Sequence, residues 1–113
     1  MKLSALLAVT ALCGLSLAQS SLLVLTPAAV VTCQDTLLAW GGGQAPFYVS
    51  IIPGGQVSAQ PIESFPATSA SNIDWLVNLA AGTSISIQVT DAAGWIAYSS
   101  PVTVQAGTST SCL

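Results

Sequence analysis

Few side chains in this chain could do chemistry, and their types narrow what that chemistry could be. The acids are Asp35, Glu63, Asp74 and Asp91; the only base is Lys2, and there is no histidine. A Ser-His-Asp or Cys-His relay therefore cannot be assembled. Glycoside hydrolysis needs a pair of carboxylates flanking one bond. Here the acids are scattered. Asp35 and Asp91 lie in turn-like sequences, Asp74 on the outward side of an alternating run, and Glu63 in an irregular stretch. The expectation is a protein that is not an enzyme and takes no cofactor. Structural zinc wants His or free Cys ligands. Calcium wants about six or more oxygens, and only the turns of Asp35 and Asp91 could contribute if they met, so no metal site is expected. Phosphate backbones and anionic membrane surfaces are recognised by Lys and Arg, so nucleic acid and lipid headgroups are not expected partners.

What is left is binding through aromatic rings. Sugar rings present apolar CH faces that can lie on an aromatic face, and Tyr or Trp adds a polar handle. Trp75 alternates with Ile73 and Val77, which assigns it to a core. Trp40, beside Gly41-Gly42-Gly43, is also read as core, although its neighbours do not fix its face. Tyr48 points opposite to Phe47 and Val49, Trp95 follows the turn glycine Gly94, and Tyr98 precedes the break at Ser99-Ser100-Pro101. Tyr48, Trp95 and Tyr98 are the candidate ligand platform. The competing reading is that they only cover the ends of the fold.

The elements that would hold these residues begin after a leader. Lys2, the apolar stretch Leu3 to Leu17 and the small residues of Ser16-Leu17-Ala18 read as a secretory signal peptide over residues 1–18. The apolar run is short for a membrane anchor. Residues 19–113 are then a single domain, without Lys2 or Cys13. Cys33 and Cys112 remain, with one intramolecular pairing in an oxidising compartment, against two free thiols or a link between chains. No later segment resembles a membrane span, and the ending Ser111-Cys112-Leu113 has no hydrophobic tail of the GPI type. A secreted protein, extracellular or held noncovalently at a cell wall, is expected.

Within that domain the apolar residues recur at every second position. Ile73, Trp75, Val77 and Leu79 do so, then Ile85, Ile87 and Val89 after Ala81-Gly82. The two runs predict consecutive antiparallel strands around a glycine turn. Further strands are predicted at 22–25, 36–40, 47–52 and 102–104, with a short edge strand at 62–65 and an extended segment at 28–32 after Pro27. A segment from Trp95 runs up to the Ser-Ser-Pro break. Short strands at such spacing, with Gly and Pro turns and no credible helix, predict an all-β chain. The expected fold is an antiparallel immunoglobulin/fibronectin-III-like β-sandwich of about seven strands. A small barrel is the alternative.

The order Cys33, Trp40-Gly41-Gly42, Pro46-Phe47-Tyr48 and Ile51-Ile52-Pro53-Gly54-Gly55 forms the first half of a wider pattern. Trp75, Leu79-Ala80-Ala81-Gly82-Thr83, Val89-Thr90-Asp91, Tyr98-Ser99 and Ser111-Cys112-Leu113 complete it. Together they resemble the N-terminal domain of the Kre/Knh type of yeast cell-wall synthesis proteins. The same domain heads many fungal Ser/Thr-rich, often GPI-anchored, secreted proteins. The resemblance implies an extracellular immunoglobulin-like sandwich associated with the wall and with glucan assembly, and it carries over no catalytic residues. The expected function is that of a noncatalytic fungal cell-wall or extracellular-matrix protein, with cell-wall β-glucan as partner. The alternative is a small secreted effector, or a self-associating surface protein acting through protein partners. Self-association is considered because edge strands are normally guarded by Lys, and none is available here.

Overall fold

Alternation gives each strand one apolar side, and two sheets can bury those sides against each other. A computed structural model describes residues 21–113, and eight strands are formed there. They are β1 (Leu23–Val24), β2 (Asp35–Gly41), β3 (Tyr48–Pro53), β4 (Glu63–Ser64), β5 (Asn72–Leu76), β6 (Ser84–Thr90), β7 (Ile96–Tyr98) and β8 (Val102–Thr103). One sheet has the order β1-β2-β5. The other has the order β4-β3-β6-β7, with β8 also paired to β6. Every strand pair is antiparallel. The described residues thus form an all-β, immunoglobulin/fibronectin-III-like sandwich. The expected signal peptide, and Cys13 within it, lie outside the described residues.

Strands β7 and β8 share one flank of β6 and are separated at Ser99-Ser100-Pro101, so they fill a single strand position. A similar switch occurs at the start. β1 pairs with β2, and after Pro27 the chain crosses so that Val31 bridges Gln105 in parallel. Proline offers no N–H to a ladder, which confines it to such edge positions.

The expected hairpin of 73–79 with 85–89 does not form. β5 pairs with β2, whereas β6 lies in the opposite sheet between β3 and β7/β8. The chain between them is committed to both layers. Val77 N–H donates to Gln34 C=O (3.1 Å), and Gly82 N–H donates to Val104 C=O (2.8 Å). The two apolar runs face each other across the core instead of lying side by side. Asp35 also differs from expectation: it opens β2 opposite Leu76, and the turn precedes it.

The core joins Leu38, Trp40 and Trp75 from one sheet to Val49, Ile51, Ile85, Ile87 and Val89 from the other. Trp40 meets Phe47 edge to face, with ring centroids 5.6 Å apart. Both buried tryptophans, Trp40 at 4% and Trp75 at 3% exposure, carry an indole N–H with no hydrogen-bond partner. Burying an unpaired donor costs about 1–3 kcal/mol. Trp75→Phe removes that donor along with some packing, so its expected net cost is about 1 kcal/mol, against about 3–5 kcal/mol for Trp75→Ala. Urea unfolding of both variants checks this. A Phe variant as unstable as the Ala variant would show that the packing of the indole outweighs the relief of its unpaired donor.

Candidate functional site

The outer face of the β4-β3-β6-β7 sheet is built in rows by its register. Tyr48, Thr90 and Ile96 form one row; Ser64, Ser50, Gln88 and Tyr98 form the next. Alternation explains why these residues are outside: their neighbours Val49, Val89 and Ala97 point inward. Tyr48 (52%), Ile96 (50%) and Tyr98 (36%) stay substantially exposed. The two tyrosines lie two strands and one row apart, about 12 Å between Cα positions from standard strand spacings.

A third row, Ile52 and Ser86, lies on the same side but is buried. The segment 54–62 returns over it. Gly55 N–H donates to Ser86 Oγ at 3.1 Å, and Tyr98 O–H reaches Val57 C=O at 3.4 Å. The approach at this corner is close: a Cβ at Gly54 would meet the Ser84 hydroxyl, which would have to turn away. The open face is therefore a short strip bounded by the 54–62 wall.

Trp95 does not join this strip. It sits opposite Asp91 in continuation of the β6–β7 register, on the inward side of the sheet, and is half-exposed at the end of the sandwich. The hairpin there is a type I turn followed by a left-handed glycine. Gly94 N–H donates to Asp91 C=O (3.0 Å), Asp91 N–H donates to Trp95 C=O (2.9 Å), and Gly94 has φ +92°. Of the three sequence candidates, then, Tyr48 and Tyr98 come together and Trp95 stands apart. Ile96, Gln88 and Thr90 were not candidates. The alternation of Ile96 and Tyr98 around Ala97 was the signal that could have found Ile96.

The acids do not converge. Asp35 begins β2, whereas Asp91 touches the loop that follows its end, about 20 Å away along the strand. Among the described residues no three His, Cys, Asp or Glu side chains group together. Asp91 is 2% exposed and has three backbone partners: Gln44 N–H on Oδ2 (3.1 Å), Ala93 N–H (3.1 Å) and Trp95 N–H (2.9 Å) on Oδ1. Its setting is that of a structural acceptor joining the glycine-rich loop to the β6–β7 turn. Cys33 and Cys112 form a disulfide with their Cα atoms 5.6 Å apart.

Fold and site together define a β-sandwich with one open, aromatic-bearing sheet face. No family model, curated protein or solved structure matches the chain.

Proposed function

We propose that this is a secreted, noncatalytic protein of the fungal cell wall or extracellular matrix that lays a β-glucan chain along the Tyr48–Ile96–Tyr98 strip. The observation that carries the reading is the strip itself. Two tyrosine rings and an isoleucine flank the amide of Gln88 and the hydroxyl of Thr90 on a hydrogen-bonded sheet. Apolar CH faces of a sugar suit the rings, and its hydroxyls suit the polar groups between them. An open, exposed face suits a polymer that passes over it better than a small molecule, which favours an enclosed pocket. The disulfide is compatible with an oxidising extracellular setting. Among the described residues no helix is long and apolar enough to cross a membrane. The likeness of the sequence to Kre/Knh-type domains points to the same polymer.

The test is retention of the secreted protein on insoluble β-glucan, chitin and whole fungal wall. Saturable retention on β-glucan is expected. Tyr48→Ala and Tyr98→Ala should each weaken it about tenfold, equivalent to about 1.4 kcal/mol, and Trp95→Ala should leave it unchanged. Retention on no polymer, or retention lost with Trp95 and kept without the tyrosines, overturns the proposal.

A further inference from the structure

The small sheet also has an outer face, and its chemistry is different. Leu23, Leu25, Leu37 and Leu76 are all about half exposed or more. The register places Leu37 and Ala39 of β2 beside Asp74 and Asn72 of β5, with Asp35 beside Leu76. Leu25 N–H donates to Ala39 C=O, which continues this face onto the chain after β1. Two carboxylates, Asp35 and Asp74, are therefore diagonal neighbours within a field of leucines.

That face ends at an open edge. Trp40 N–H donates to Ser71 C=O, and Val77 N–H donates to Gln34 C=O. In an antiparallel ladder the hydrogen-bonded rows alternate, so Ser71, Ile73, Trp75 and Val77 turn their backbone groups toward β2. Asn72, Asp74 and Leu76 turn theirs away. Among the described residues no strand pairs with that side of β5. Other edges are blunted: β1 and β4 have two residues each, and β7 and β8 are separated by Pro101. β5 has five residues in a row, with no proline and no lysine.

We propose that the β5 edge takes an extended segment of a partner protein as the fourth strand of the small sheet, and that this segment alternates apolar with Lys or Arg residues. The free N–H and C=O groups of Asn72, Asp74 and Leu76 supply the ladder. The cations, on the outer-facing positions of the added strand, reach Asp74 and, diagonally, Asp35, while the apolar residues between them turn to the inner face beside Ile73 and Trp75 at the margin of the core. Strand addition of this kind takes affinity from the backbone and specificity from alternate side chains. Charge argues against a second copy as occupant. Beyond Lys2 the chain has no cation, and β5 against β5 would bring acidic edges together without compensation.

The test titrates the secreted protein with a capped peptide of three Lys-Val repeats, and with the matching Glu-Val peptide. Backbone amide exchange and sedimentation are followed. The Lys-Val peptide should bind in a salt-sensitive manner and slow exchange at Asn72, Asp74 and Leu76. Asp35→Asn and Asp74→Asn, both at the surface, should each weaken binding about tenfold or more, and Tyr48→Ala should not affect it. Equal binding of the Glu-Val peptide, or no protection of those amides at saturating peptide, overturns the proposal. Concentration-dependent protection of the same amides without peptide would overturn it in favour of a second copy.

Discussion

Removing the Cys33–Cys112 bridge is expected to lower the unfolding free energy by about 4–5 kcal/mol, the chain-entropy value for so long a loop. The bridged residues are 79 apart in sequence. Small domains have about 5–15 kcal/mol in total, so the bridge supplies a third or more of the stability of most of them. The structure shows what the bridge anchors. Leu113 N–H donates to Thr110 C=O and Ser111 N–H donates to Ser109 Oγ, both within the tail, while Cys112 N–H donates to the Cys33 sulfur. Cys33 also has φ +62°, a left-handed conformation for a residue with a Cβ, which costs about 1–2 kcal/mol relative to glycine. Two double variants separate the effects. Cys33→Ser with Cys112→Ser should show the full loss, and Cys33→Gly with Cys112→Ser should recover about 1 kcal/mol of it. With a urea slope of about 1–2 kcal/mol/M, the first variant's midpoint should fall by roughly 2–5 M. An unchanged midpoint would mean that the unfolded chain is already restricted without the bridge.

The sandwich was legible in the sequence because its signal is local. Ile85, Ile87 and Val89 alternate with Ser86 and Gln88, and all three apolar side chains are buried. The same alternation placed Trp75 and Val77 in the core. It could not say whether two successive apolar runs lie side by side or face to face, since both arrangements need the same period. What separates β5 from β6 is distant pairing: β6 has β3 on one edge and β7 with β8 on the other. The candidate face divides in the same manner. Tyr48 was legible because its neighbours Phe47 and Val49 fix its side. Trp95 was not, because a preceding turn glycine says nothing about parity, and its place opposite Asp91 emerges only from the hairpin register. Ile52 and Ser86 share the outer side of Tyr48 but are buried by the returning 54–62 segment, which no periodicity announces.

Asp91→Ala should destabilise the fold by about 3 kcal/mol, because it strips the acceptor from three part-buried hydrogen bonds whose N–H groups would each cost about 1–3 kcal/mol if left wholly unpaired. The lower figure follows from the setting: Ala93 and Gln44 lie in turns near solvent, so water can take over part of the load. Two of the three bonds are local, to Ala93 and Trp95, and shape the β6–β7 turn. The third, from Gln44 N–H, spans 47 residues and ties that turn to the loop after β2. The glycine at position 43 belongs to the same arrangement. It has φ +70°, and a Cβ there would sit 2.9 Å from Asp91 Oδ2 and 3.0 Å from Leu22 Cδ1. In a chain whose only cation is Lys2, a buried carboxylate has to be compensated by backbone donors, and this one is. Asp91→Asn discriminates between the local and the long-range share. Its carbonyl oxygen can still accept from Ala93 and Trp95, but its NH2 group would point at Gln44 N–H, donor against donor. The Asn variant should therefore lose about 1–2 kcal/mol, with faster amide exchange confined to Gln44 and its loop. The Ala variant should also speed exchange at Trp95 and along β7. An Asn variant as stable as the parent would leave the loop contact without energetic weight, and an Asn loss equal to that of Ala, with exchange at Trp95 unchanged in the Asn variant, would place the stabilisation in the loop contact and not in the turn.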